Sequence, residues 1–252
     1  MCALLIQIAT NLANDYFDYV KGADTTERIG PVRVVQSGLL EPATVRNAMI
    51  GVLVLAFVLG LYLVYRGGLP ILVIGVISIF FAVGYTAGPM PLAYVGLGDV
   101  FVFLFFGVVA VTGTYYVQAL QWSGGAFIAS LPVGAIATAI LVVNNYRDLD
   151  TDRIAGKKTL AVRFGRAVAR GEYAGLIAFA YVVVLAQTFF GHVEFRFLFA
   201  MLSVPFAYRV LSVVMKRTDG PSLNNALAAT GRLLAIFGLL YSIGLIIKRV
   251  FP

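Results

Sequence analysis

The chain has 252 residues, 60% of them hydrophobic and only 12% charged, with a mean hydropathy of +0.91. A soluble domain of this size carries roughly 25% charged residues, so this composition is suited to the bilayer rather than to water. The net charge of +7 comes with no basic helix face or base-stacking motif, which excludes nucleic acid as a partner; the single Cys2 excludes an intrachain disulfide, and the single His192 a multi-histidine metal site.

A spanning helix needs about 20 mostly apolar residues. The first apolar stretch, 1–18, is partial: the run from Met1 to Asn14 is too short to cross a core of about 30 Å at about 1.5 Å per residue. It starts inside a helix and lacks the basic n-region and cleavage site of a signal peptide. The expectation is a single transmembrane domain over 1–252, truncated at its N-terminus. Seven full spans follow at 46–65, 69–87, 99–119, 125–146, 171–190, 196–215 and 230–248. The predicted fold is therefore an all-α, multi-pass transmembrane bundle of eight helices.

Between the spans, Gly88-Pro89-Met90-Pro91 reads as a helix-breaking turn and Asp99 as the N-cap of the span after it, with substrate contact as the alternative for Asp99. Trp122 reads as an interfacial anchor, and His192 as a solvated residue in a short loop whose only acid is Glu194. Gly156-Lys157-Lys158-Thr159 lacks the glycine spacing of a phosphate-binding P-loop, which argues against nucleotide hydrolysis. All but four of the 19 Lys and Arg fall in 18–46, 144–170 and 209–232; Arg66, Arg196, Lys248 and Arg249 lie on the other side. This asymmetry places the acidic loops in the cytoplasm, and the expected location of the chain is the inner (plasma) membrane.

Two polar motifs interrupt the apolar pattern. The first is Asn11-Leu-Ala-Asn14-Asp15-Tyr-Phe-Asp18, followed by Lys21 and Asp24; the second is Asn144-Asn145-Tyr-Arg147-Asp148-Leu-Asp150-Thr-Asp152. Asn14 and Asp18 form one stripe on a helix, as do Asn144, Asp148 and Asp152 if the helix continues that far, while Asp150 points off the stripe. Asn14 and Asp18 also align with Asn144 and Asp148. The two motifs emerge on the same membrane side, as a parallel internal repeat with a site at its interface. Carboxylates are expensive in a membrane and worse at the negative end of a helix dipole, unless a cation joins them. Oxygen-only ligands suit magnesium, which pairs one or two carboxylates with substrate phosphates. With the basic loops alongside, the motifs point to a lipid diphosphate. A cation transporter is the alternative of a different class, and it would put its acids at mid-membrane.

At these residues the sequence resembles the UbiA superfamily of intramembrane prenyltransferases, and within it the branch acting on 1,4-dihydroxy-2-naphthoate. The carriers are NLANDYFDYVKGADTTERIGPVRVVQSGLL (11–40), YTAGPMPLAYVGLGD (85–99) and NNYRDLDTDRIAGKKTLAVRFG (144–165). The resemblance implies nine helices around a cavity open to lipid, with the first helix missing here and one cavity wall opened. It implies that Asn14, Asp18, Asp24, Asn144, Asp148 and Asp152 hold Mg2+, with Asp15, Asp18 and Asp148 as catalytic carboxylates. Asp24 takes the third carboxylate place, with Gly22 at the strict four-residue step. Lys21, Arg147 and Lys157 would contact diphosphate, and Tyr85, Tyr115 and Tyr116 would shelter the allylic cation, Tyr85 also meeting the aromatic substrate. The implied partners are a polyprenyl diphosphate and 1,4-dihydroxy-2-naphthoate, joined with loss of the ring carboxylate to give demethylmenaquinone for menaquinone biosynthesis. Acceptors such as 4-hydroxybenzoate, or phytyl transfer, are the alternatives within the class.

Overall fold

The computed structural model describes residues 1–23, 29–89, 91–190 and 195–250. Asp24, His192 and Glu194 lie outside the described residues, as does Met90 of the Gly-Pro turn. Among the described residues every regular element is helical. Helix α1 (Cys2–Val20) carries the first motif at its C-terminal end, and α2 (Pro42–Gly67) starts with a proline at a position where no intrahelical N–H is needed. A single residue, Gly68 at φ 70°, joins it to α3 (Leu69–Gly84). The short α4 (Leu92–Val95) precedes α5 (Gly98–Val102), a π-helical segment (Phe103–Val109) and α6 (Ala110–Ala119), which run as one rod. The Ser123 hydroxyl caps α7 (Gly124–Arg147) by accepting from the Ala126 N–H at 3.2 Å. Helix α8 (Leu149–Ile154), α9 (Leu160–Phe190), a 3-10 segment (Phe195–Ser203), α10 (Val204–Lys216) and α11 (Gly220–Val250) complete the chain.

Six of these are long and apolar enough to cross a membrane, and the shorter apolar α3 is a seventh apolar helix. With α1 they match the eight predicted segments. Three boundaries differ for local reasons. The 171–190 span begins at Leu160, because Thr159 accepts the Val162 N–H at 3.3 Å, and the chain then turns at Gly165 (φ 83°) before the long run. The 230–248 span begins at Gly220, because exposed Asp219 accepts the Ser222 N–H at 2.9 Å, a bond that also holds its carboxyl below the usual range. The 196–215 span is not one α-helix. Its first part is 3-10, and the α-helix starts only at Val204, where Pro205 fits the first turn.

The two halves pack differently. The continuous buried core belongs to the second half: Ala135, Ala139 and Val143 of α7 meet Tyr173, Ile177 and Val184 of α9 and Leu233 and Phe237 of α11. Small residues let α7 sit at the centre of this packing. The first half instead turns large side chains outward, with Phe57, Tyr62 and Phe80 exposed, and leaves a cavity inside.

The halves meet where Gly107, in the π-helical segment, crosses Gly134 of α7. A Cβ on Gly107 would lie 2.5 Å from the Gly134 Cα, so the backbones touch and neither can yield. Gly107→Leu is expected to destabilise the protein by about 1–3 kcal/mol or more, read as a lower unfolding temperature in detergent. Gly113→Ala, two turns away with nothing near its would-be Cβ, is the neutral control.

Candidate active site

The cavity occupies about 1080 Å³ between α1, α2, α3, the α5–α6 rod and α7. Its walls are apolar and its floor is polar. The floor lies at the C-terminal ends of α1 and α7 and the start of α5, where Asn14, Asp18, Asp99, Asn144, Asn145, Asp148, Asp152, Arg33 and Lys157 all line it. Two helix C-termini, each with a negative dipole end, therefore face one pool of carboxylates.

The two motifs meet through Lys157. Its ammonium lies 3.8 Å from Asp18 Oδ2 and 3.2 Å from Asp152 Oδ1, so one cation touches a carboxylate from each repeat. Asp18 also accepts the Tyr94 hydroxyl at 2.8 Å and lies 3.9 Å from Arg33. Tyr94 is held in place by its backbone: its carbonyl accepts the Lys158 N–H at 2.8 Å, and the Val95 carbonyl accepts Arg163 at 2.8 Å. Gly96 (φ 80°) permits this seam, since a Cβ there would lie 2.4 Å from the Lys158 carbonyl. Lys21 donates to the Thr86 carbonyl at 2.5 Å and stands 4.7 Å over the Tyr94 ring, and Thr86 in turn donates to the Asn14 amide oxygen.

The second motif is organised by Arg147. Its guanidinium grips Asp148 at 2.7 and 2.6 Å and reaches Asn144 at 2.9 Å and Asn224 of α11 at 2.8 Å. The helix breaks at Asp148 (φ −90°, ψ 9°), yet the Asp152 N–H still bonds to the Asp148 carbonyl at 2.7 Å. Asp152 thus stays on the cavity side although it belongs to the separate α8. Burial pushes the Asp152 carboxyl above its usual range despite Lys157 alongside, and burial lowers the Lys21 ammonium despite Asp18.

The profile of the UbiA prenyltransferase family matches residues 1–237. This chain belongs to that family. It is 36% identical to the 1,4-dihydroxy-2-naphthoate octaprenyltransferase of Escherichia coli (strain K12), over 97% of this chain and 82% of that one. It is 37% identical to the protein of the same name from Mycobacterium tuberculosis, over 94% and 80%. The UbiA prenyltransferase domain-containing protein 1 of Rattus norvegicus is 28% identical, over 98% and 71%. A solved digeranylgeranylglyceryl phosphate synthase superposes with a TM-score of 0.58 at 15% identity, covering 96% of this chain and 85% of that one, a likeness of fold.

In this UbiA-family prenyltransferase the structure brings Asn14, Asp18, Asn144, Asp148, Asp152 and Lys157 to one floor, and Tyr85 to the wall beside it. It does not bring Asp15 there. Asp15 is buried on another face of α1, where it accepts the Val34 and Val35 N–H groups at 3.1 and 3.3 Å and anchors the loop that carries Arg33. Arg147 also fails to line the cavity, because its buried guanidinium is turned onto protein partners, with four of its five N–H donors on Asp148, Asn144 and Asn224. Tyr115 and Tyr116 stand at the opposite end of the α5–α6 rod, off the cavity, with Tyr116 stacked on the exposed Trp122 at 4.4 Å. Asp150 is exposed and pairs with Arg166 at 2.6 Å, off the stripe as its position predicts. Asp99 is not the N-cap of α5: Leu97 is, with no side-chain capping bond.

Three features escaped the sequence reading. Tyr94 is one; its block was visible, but nothing singled out this tyrosine among its neighbours. Arg33 was one basic residue among several. The third is the cluster of Phe81, Phe101 and Phe105, whose rings lie 4.6–6.0 Å apart on the cavity wall.

The donor set can be tested against magnesium. Among the described residues no three Asp, Glu, His or Cys side chains close into a ready cage. Magnesium does not require one, since it takes one or two carboxylates and completes its shell with water and substrate phosphates. Asp18 and Asp152, which share one cation in Lys157, fit that pattern, with Asn14 and Asn144 on the same cavity floor, their amide oxygens accepting from Thr86 and Arg147.

Proposed function

We propose that this prenyltransferase joins a polyprenyl diphosphate to 1,4-dihydroxy-2-naphthoate with loss of the ring carboxylate, as a magnesium-dependent step of menaquinone biosynthesis. The names of its relatives supply the acceptor. The observation that carries the site reading is Lys157 held between Asp18 and Asp152, which makes the two repeats halves of one cation and anion site.

Each part of the site has a task. Asn14, Asp18, Asn144, Asp148 and Asp152 would hold Mg2+, and Asp24 completes the carboxylate set read from the sequence. The metal, when bound, stabilises the negative charge of the departing diphosphate. Lys157 and Arg33 meet the remaining phosphate oxygens; Lys21, expected to join them, does not line the cavity, because its ammonium is taken by the Thr86 carbonyl and the Tyr94 ring. The apolar cavity takes the prenyl chain and keeps water from the allylic cation, while Phe81, Phe101 and Phe105 present ring faces to it. Acids gathered at the helix ends, with bases beside them, suit a phosphorylated substrate better than ion transport. The basic bias of the same loops supports a cytoplasmic floor.

The test is an assay of purified protein in detergent with an all-trans polyprenyl diphosphate, 1,4-dihydroxy-2-naphthoate and Mg2+. A demethylmenaquinol-type product is expected, with turnover lost on chelation and recovered on adding Mg2+. Product with 4-hydroxybenzoate and none with the naphthoate would reject the acceptor; turnover unaffected by chelation would reject the metal.

A further inference from the structure

Asp99 is the one buried carboxylate on the cavity floor, among the described residues, with a buried oxygen that has no hydrogen-bond partner. Asp18 and Asp152 share Lys157, and Asp148 has Arg147. Asp99 is 7% exposed, yet its Oδ1 has no hydrogen-bond partner. A buried carboxylate oxygen left empty destabilises the fold unless a donor arrives, so a native protein keeps one for a reason. Capping is not that reason, because Leu97 is the N-cap of α5. A metal cage is not either, because no second and third acid, His or Cys joins it.

The surroundings narrow the donor. Asp99 and Tyr85 line the same cavity. Gly98 lets the Tyr85 hydroxyl pack against the start of α5, since a Cβ there would lie 2.9 Å from that oxygen and 3.2 Å from Leu141. Asp99 therefore follows directly on the residue that packs against a phenol, in a cavity that the Phe101 and Phe105 rings also line, a setting for a flat aromatic molecule that presents a hydroxyl.

We propose that Asp99 is the general base of the acceptor: its open oxygen takes the proton of the hydroxyl ortho to the ring carboxylate as the ring attacks. The inference rests on the aromatic-acceptor reading above. The electron balance is closed. The ring carbon bearing the carboxylate forms the bond to prenyl C1, while the C1–O bond breaks and its electron pair leaves with diphosphate. The hydroxyl proton moves to Asp99 and the C–O becomes C=O, giving a β-keto carboxylate. The bond to the carboxylate then breaks, carbon dioxide leaves, the electron pair restores the aromatic ring, and Asp99 returns the proton to the oxygen. No oxidant or reductant is needed. Without a base the attacking ring would build positive charge, which burial disfavours.

The experiment compares wild type with Asp99→Asn and Asp99→Glu on two acceptors: 1,4-dihydroxy-2-naphthoate and its analogue methylated at the oxygen ortho to the carboxylate. Binding of the polyprenyl diphosphate with Mg2+ is measured separately, by its effect on unfolding temperature. Asp99→Asn is expected to lower kcat by roughly 10²–10⁴-fold with diphosphate binding unchanged, and Asp99→Glu to recover part of it. Wild type should reject the methylated analogue strongly, and Asp99→Asn should lose that discrimination. Turnover of Asp99→Asn within about threefold of wild type overturns the proposal. So does discrimination that survives in the variant, or a loss of turnover that comes with lost diphosphate binding. A wild type active on neither naphthoate overturns the acceptor reading, and this inference with it; activity in wild type separates the two failures.

Discussion

Asp18→Ala is expected to lower prenyl transfer by roughly 10³-fold while leaving the protein folded in detergent. Asp18 is the first motif's carboxylate in contact with the second, through Lys157 at 3.8 Å, and Tyr94 and Arg33 also converge on it. Its removal takes away a ligand for the metal and uncouples the two repeats. It does not orphan a buried charge, since Lys157 keeps Asp152 at 3.2 Å. The fold should therefore tolerate the change, and the deficit should appear in kcat and in the Mg2+ dependence rather than in unfolding temperature. The check is turnover across a Mg2+ titration beside a thermal melt in the same micelles. Normal turnover in Asp18→Ala would remove the first motif from the chemistry.

The pairing of the acids was legible in the sequence because of how costly such residues are. A charge near a membrane helix end needs a reason, and two matched stripes in one chain needed the same one. The parity of the spans then put both on one side. Partner choice was not legible. Asp15 and Asp18 are three residues apart on α1, close enough to share a stripe by spacing. Yet Asp15 is taken by the amides of Val34 and Val35, in a loop whose path no periodicity describes. The Arg147 position in the motif suggested a phosphate ligand, because an arginine beside carboxylates looks free until Asn224, far along the chain, is seen to fill its remaining face.

The aromatic residues show the same limit. Tyr115 and Tyr116 share the α5–α6 rod with Asp99, but sixteen or seventeen residues at about 1.5 Å each carry them nearly across the membrane, to Trp122. That distance could have been read from the sequence. The phenylalanines that do face the cavity could not, because Phe81 comes from another helix and an all-round apolar span hides which side looks inward. The boundaries of α9 and α11 were missed for a related reason: Thr159 and Asp219 cap helices that start in polar sequence outside the hydrophobic window.

Arg147→Ala is expected to cost about 3–5 kcal/mol of stability, a larger structural penalty than any substitution at Asp18. The Arg147 side chain is 1% exposed and bonds to Asp148 twice, to Asn144 and to Asn224. Asn224 in turn donates to the Ile29 carbonyl at 3.1 Å, so the guanidinium links α7 to α11 and onward to the segment that follows the first motif. Deleting it leaves the Asp148 carboxylate buried without its counter-charge. Arg147→Lys keeps the charge but cannot reproduce a bidentate grip together with two amide contacts, so it too should melt earlier and turn over slowly. Thermal unfolding in detergent, with polyprenyl diphosphate affinity measured on the folded fraction, separates the two roles. As a positioning residue Arg147 loses stability first, and the folded remainder still binds substrate. An Arg147→Ala protein as stable as wild type but unable to bind diphosphate would instead restore the direct phosphate contact that its place in the motif suggests.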